Sequence, residues 1–190
     1  MNPVSIQLKA LSIFLSKQKI DYAILGGIAV FIYGEPRLTS DVDVNIALDK
    51  DDIRKFLKDG KRYGFAPAIP GALRTGKTMG VIPMKFSKGK VSGLFDFILA
   101  ENILELNAIK RARTKKIGPV SMKVVTPEDL VIHKITSRRA RDFEDIPGIL
   151  IRQKGKLDLK YINKWLKMID KIHTGLNLYK KFASLLRKAK

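Results

Sequence analysis

The chain has 190 residues, 45% of them hydrophobic and none of them cysteine. That length allows one or two domains, with a core burying on the order of 70% of the unfolded surface. Disulfides and thiolate metal sites are excluded, and no apolar run nears the roughly 20 residues that span a bilayer. Lys and Arg number 37 against 18 Asp and Glu, a formal net charge of +19, with a pI near 10.1. Such an excess favours a polyanionic partner, most simply a nucleic acid. The N-terminal MNPVSIQLKALSIFLSKQ has no cleavage-site pattern and reads as an amphipathic helix. The expectation is a cytoplasmic protein with no membrane partner.

In chain order, Val4, Leu8, Leu11, Phe14 and Leu15 share one helical face, which predicts a helix over 3–17. A strand is expected at 22–25 and a helix at 27–33, ended by Gly34 and Pro36. A second strand follows at 42–47. Asp49 then caps a helix that runs through Ile53, Phe56 and Leu57 to Gly60. Residues 61–79 are rich in Gly, Pro and Ala without a clear period, and read as a loop with one short strand near 64–66. The apolar runs 81–86 and 91–99, joined by Ser87-Lys88-Gly89-Lys90, predict a hairpin. A helix is expected at 102–113, and one or two strands at 115–125 with Gly118-Pro119 between them. Thr126-Pro127-Glu128-Asp129 combines a hydroxyl cap, a first-turn proline and acids against the helix dipole. That helix should reach Arg138-Arg139, and another starts near Asp142. From Asp158 onward the chain reads as helical, broken near Thr174-Gly175. Residues 151–190 hold twelve Lys and Arg against two Asp. Contact with nucleic acid explains that imbalance better than a merely solvated surface.

The chemistry concentrates between Asp21 and Leu48. Asp41 and Asp43 lie two residues apart on an extended, β-branched run, so both carboxylates project to one side while Val42, Val44 and Ile46 face the other. Their repulsion is relieved by a divalent cation. Upstream, Gly26-Gly27 allows close backbone approach to a bound group and opens a helix whose free N–H groups attract phosphate. Arg37 suits a triphosphate or is a surface arginine, and Thr39 caps or orients the loop before Asp41. Asp96 sits in the apolar run GLFDFIL, where an acid needs a cation or a salt bridge.

Gly26-Gly27 followed by Arg37-x-Thr39-x-Asp41-x-Asp43 resembles the polymerase-β-like nucleotidyltransferase superfamily, and more closely its AbiEii-type toxin nucleotidyltransferases and tRNA CCA-adding enzymes. Many toxin relatives carry Ser where Gly27 stands. Lys134, Arg138, Arg141, Asp142 and Asp145 match the Lys-x-x-x-x-Arg-x-x-Arg-Asp-x-x-Asp pattern that follows the catalytic core in AbiEii-type enzymes.

The resemblance implies an α/β (α+β) fold, with a small mixed sheet flanked by helices and then a C-terminal helical region. The catalytic domain would cover 1–126, and a basic helical region at 127–190 would complete the site. The resemblance also implies a metal triad of Asp41, Asp43 and Asp96 holding two Mg²⁺ (or Mn²⁺) ions. Gly26, Gly27, Arg37, Thr39, Arg138, Arg141, Asp142 and Asp145 would bind the NTP, and Lys134 would contact its triphosphate. Asp142 and Asp145 alternatively belong to an internal Arg/Asp network joining two helices. The activity implied is transfer of NMP from an NTP to an acceptor hydroxyl, with RNA such as a tRNA 3′ end first, and an antitoxin as a further partner. A protein hydroxyl as acceptor, or an inactive RNA-binding module, are the alternatives.

Overall fold

A computed structural model describes residues 3–137 and 139–189. Helix α1 (Pro3–Gln18) leads into strand β1 (Tyr22–Ile24), helix α2 (Gly26–Tyr33) and strand β2 (Asp41–Ile46). A 3-10 turn at Lys50–Asp52 precedes α3 (Ile53–Gly60), and another at Lys61–Tyr63 precedes β3 (Phe65–Pro67). Then come α4 (Ala72–Met79), β4 (Val81–Lys88), β5 (Val91–Leu99), α5 (Ile103–Arg111), β6 (Arg113–Ile117) and β7 (Val120–Val124). Four helices finish the chain: α6 (Pro127–Thr136), α7 (Ala140–Arg152), α8 (Leu159–Ile172) and α9 (Leu178–Lys188). Among the described residues, no helix is long and apolar enough to cross a membrane.

Two compact units divide the chain. The first is Met1–Ile28 with Thr39–Val125, and the second is Ala29–Leu38 with Thr126–Lys190. Residues 29–38, which the sequence places in the 1–126 half, thus cluster with the C-terminal helices. Their backbone is pinned to α7: Arg152 Nη1 donates to the Gly34 carbonyl at 2.6 Å, and Gln153 Nε2 donates to the Tyr33 carbonyl at 3.1 Å. Gly34 and Gly148 permit that approach, since a Cβ on either would fall within 2.8 Å of Ile149 or Glu35.

The first unit is built on a mixed seven-stranded sheet of order β3-β4-β5-β2-β1-β7-β6. Strands β2 and β5 run parallel, whereas β1–β2, β3–β4, β4–β5 and β6–β7 are antiparallel. One face is apolar. Val42, Val44 and Ile46 are buried beside Phe95, Phe97 and Leu99, and beside Ile82, Met84 and Phe86. Rings cover that face: Phe14 of α1 lies 4.8 Å from Phe56 of α3 and 5.4 Å from Phe65, and Phe56 meets Phe97 edge-on at 5.1 Å. Buried aromatic clusters of this kind stabilise a core beyond their area alone.

Three local readings change. The short strand expected near 64–66 is β3, but the rest of 61–79 is not all loop: it holds a 3-10 turn and the two-turn helix α4. The helix escapes a periodicity reading because its buried positions are only Ala72 and Gly76. Gly76 brings the helix onto Ile82 and Ile53, where a Cβ would lie 2.9 Å from the first and 3.1 Å from the second. Asp49 stands at the predicted N-terminus but makes no side-chain cap, and the turn it opens is 3-10. Helix α6 stops at Thr136, short of Arg139. The Thr126 signal holds: its Oγ1 accepts the Asp129 amide N–H. Asn102 and Glu105 form a capping box on α5 that the sequence reading passed over.

Candidate active site

β2 and β5 carry the acidic site. Their parallel register pairs Asp41 with Leu94, Asp43 with Asp96 and Asn45 with Ile98. Register partners on adjacent strands project to the same face, so Asp41, Asp43 and Asp96 share the face opposite the phenylalanine core. Asp41, Asp43 and Asp96 are half-buried, whereas Val42, Val44, Phe95 and Phe97 are buried, as strand alternation requires.

The Gly-Gly turn is fitted against these acids. Gly26 has φ +61°, and a Cβ there would overlap Asp43 Oδ2. Both facts demand glycine. The Leu25 N–H donates to the Asp43 carbonyl at 3.1 Å, which ties the turn to β2. Thr39 packs on Gly27, where a Cβ would come within 2.7 Å of Thr39 Cβ. Thr39 Oγ1 lies 3.0 Å from both the Asp41 carbonyl oxygen and Asp41 Oδ1. Thr39 therefore braces the first carboxylate and closes the room a side chain at position 27 would need.

The three carboxylates are not a closed cage. Among the described residues, no group of three or more His, Cys, Asp and Glu side chains is arranged to hold one metal ion. The backbone fixes one in-register pair, Asp43 and Asp96, with Asp41 next along the same face. These are hard oxygen donors suited to Mg²⁺. The pair therefore fits a cation as far as register and donor type go, with side-chain rotation left to complete the set.

Sequence reasoning passed over Asn45, the next residue on that face. It is fully buried, and neither atom of its amide has a hydrogen-bond partner among the described residues. The period-two run Asp41, Asp43, Asn45 was the available signal.

The second unit gathers the other candidates into an ion network. Lys134 of α6 is buried, and its Nζ donates to Asp142 Oδ1 at 2.9 Å and Asp145 Oδ2 at 2.6 Å, both on α7. Arg37 forks the same Asp145, Nε to Oδ1 at 2.8 Å and Nη2 to Oδ2 at 2.9 Å. Arg141 Nη2 donates to the Leu38 carbonyl at 3.1 Å. Arg138 lies outside the described residues. Burial raises the Asp145 carboxyl, but the hydrogen bonds from Arg37 and Lys134 and their charges outweigh it and hold its pKa below the usual value. For Asp142, burial also raises the pKa; bonds from Ser137 and Lys134 and the charges of Lys134 and Arg139 bring it down. In this structure Lys134 and Arg37 thus donate to Asp145 and Asp142, an internal network of the kind left open for the two aspartates, which Lys134 and Arg37 join against expectation. Glu128 and Asp129, read as dipole acids, are buried acceptors: Asp129 Oδ1 takes the Tyr161 hydroxyl at 2.6 Å, and Glu128 Oε1 takes the Asp158 N–H at 3.1 Å.

A family model described as "Nucleotidyltransferase of unknown function (DUF6036)" matches residues 4–186. No curated protein matches. Among solved structures, the chain is similar to an antigenic nucleotidyltransferase-like protein from Paracoccidioides brasiliensis, with 21% identity over 99% of this chain and 92% of that one and a TM-score of 0.48. It is also similar to the lincomycin-bound lincosamide antibiotic adenylyltransferase LnuA (13% identity, 76% and 94% coverage, TM-score 0.45). A third is the antibiotic-resistance factor ANT(2'')-Ia (12% identity, 97% and 94% coverage, TM-score 0.48). At those TM-scores the assignment stands on the family model, which spans nearly the whole chain, and on the strand pair that sets Asp43 beside Asp96 behind the Gly-Gly turn. The chain belongs to this family of nucleotidyltransferases, and the chemistry of its class is transfer of a nucleoside monophosphate.

Proposed function

We propose that the protein transfers NMP from an NTP to a hydroxyl of RNA, a tRNA 3′ end first among candidates, using divalent metal held by Asp41, Asp43 and Asp96. The observation that carries this reading is the parallel β2–β5 register, which puts Asp43 and Asp96 side by side on the face that also bears Asp41. Mg²⁺ bound there would neutralise triphosphate charge and make the acceptor hydroxyl more acidic. Asp96 takes the proton from that hydroxyl, directly or through water. Amides of the Gly26-Gly27 turn, free of side chains at both positions, face the phosphates. Thr39 keeps Asp41 oriented through its hydroxyl. The Lys134–Asp145–Arg37 network acts one step back, by fixing α6, α7 and the segment before Thr39. An RNA acceptor is supported by the net charge of +19. A toxin held in check by an antitoxin is the setting that the AbiEii-type motif suggests; growth arrest on expression, relieved by Asp43→Ala, checks it.

The test is incubation with labelled NTPs, Mg²⁺ and total tRNA. Label should enter RNA with the wild-type protein, stop with EDTA, and fall at least a hundredfold in Asp43→Ala. RNA retention without label transfer, equal in both proteins, would mean a binding module. Label appearing on protein instead of RNA would replace the acceptor.

A further inference from the structure

We propose that the outward face of α8 is a docking strip for the phosphate backbone of an RNA strand. This rests on the RNA-acceptor reading and assigns it a surface. Ile162, Trp165 and Leu166 are the buried residues of α8. Lys160, Lys164, Lys167 and Lys171 follow one another at spacings of four, three and four, and all are exposed. At 100° per residue these lysines fall within an arc of about 60°, diametrically opposite the buried seam. The strip is about 16 Å long at 1.5 Å per residue. That length matches about five nucleotide steps at roughly 3.4 Å per strand.

A merely solvated helix face interleaves acids with bases, because opposite charges three and four residues apart attract and like charges repel. Here each lysine's neighbour along the strip is another lysine, and the one acid at such a spacing is Asp170, three residues after Lys167. The one acid within α8, Asp170, is taken by the next helix, where Oδ1 accepts the Leu178 N–H at 2.8 Å and Oδ2 the Tyr179 N–H at 3.0 Å. Among the described residues, no carboxylate lies within ion-pair distance of the four lysines. Lys167 Nζ instead sits 4.7 Å from the Tyr179 ring centre. Other basic surfaces are less aligned. On β6, Lys115 and Lys116 are consecutive and so point to opposite faces. On α9, Lys181 is drawn over the Phe143 ring, at 5.9 Å. An unneutralised line of four cations at helical rise fits a regular polyanion, and reads charge rather than base sequence.

The test compares the quadruple variant Lys160→Gln, Lys164→Gln, Lys167→Gln, Lys171→Gln with a control of equal charge change on the first unit: Lys9→Gln, Lys55→Gln, Lys58→Gln, Lys88→Gln. Binding of fluorescein-labelled tRNA is followed by anisotropy at several KCl concentrations, with melting curves verifying that both variants fold. Four lost phosphate contacts should make the slope of log K against log salt shallower by about 3 in the strip variant. The control should shift by less than one. A strip variant with the wild-type slope, or a control that loses as much, overturns the proposal. If label transfer to tRNA persists with the strip slope unchanged, the strip is wrong and the RNA acceptor stands. A wild-type protein that neither binds nor labels tRNA sinks both.

Discussion

Gly26 shows how a single residue serves fold and site at once. Its positive φ opens α2, and the missing Cβ leaves room for Asp43 Oδ2. Gly26→Ala must either displace that carboxylate or leave the left-handed region, which costs about 1–3 kcal/mol. The expected outcome is a protein that still folds, melts lower, and transfers label at least a hundredfold more slowly than wild type. Calorimetry and the tRNA assay check the two parts. Asn45 makes the reverse case, since a buried amide without a partner destabilises by about 1–3 kcal/mol. Asn45→Leu, similar in volume, should raise the melting temperature. A buried polar group kept at that expense beside two carboxylates points to use, so label transfer should slow in the same variant. Unchanged melting would mean that water satisfies the amide.

At the scale of elements, the α6–α7 pair depends on Lys134. Removing it as Lys134→Met leaves Asp142 and Asp145, one turn apart on α7, without the cation from α6, with Arg37 still on Asp145. Breaking a buried pair in this way costs about 3–5 kcal/mol, read by urea melts at pH 7. The same network sets an acid limit. Asp142 and Asp145 have folded pKa values below their unfolded ones, so the unfolded state binds more protons at acid pH. Their contribution is complete above the unfolded value of about 3.9 and is lost as pH falls through the lower folded values. Asp145→Asn should therefore be less stable than wild type at pH 7, with the gap narrowing below about pH 4. A gap that widened on acidification would reverse the sign of the coupling. The element that sequence could not reveal is α4. Its buried stripe is one alanine and one glycine, and helix propensity at Thr75, Gly76 and Thr78 is poor, so only packing on Ile53 and Ile82 holds it.

The whole molecule carries its charge of +19 as a standing repulsion. Salt should act on it in two opposite ways. Screening relieves repulsion within the compact state, so the melting temperature should rise as KCl increases from 50 to 500 mM. Binding to RNA should weaken over the same range, by about fiftyfold between 50 and 200 mM if four phosphates are contacted along a single strand. Parallel responses, both rising or both falling, would contradict that division of roles.

The sequence alone determined what short-range rules govern. Alternation put Asp41 and Asp43 on one face, the Thr126 cap started its helix, and Gly26-Gly27 marked a tight turn. It also held the likeness that named the family. Tertiary structure decided what depends on residues far apart. The β2–β5 pairing that sets Asp43 beside Asp96 spans 53 positions of chain, and the Arg37–Asp145 fork spans 108. No local period encodes either one, because each exists only once packing has closed the intervening chain. Packing also turned Lys134 inward to its two aspartates and moved residues 29–38 into company with the C-terminal helices.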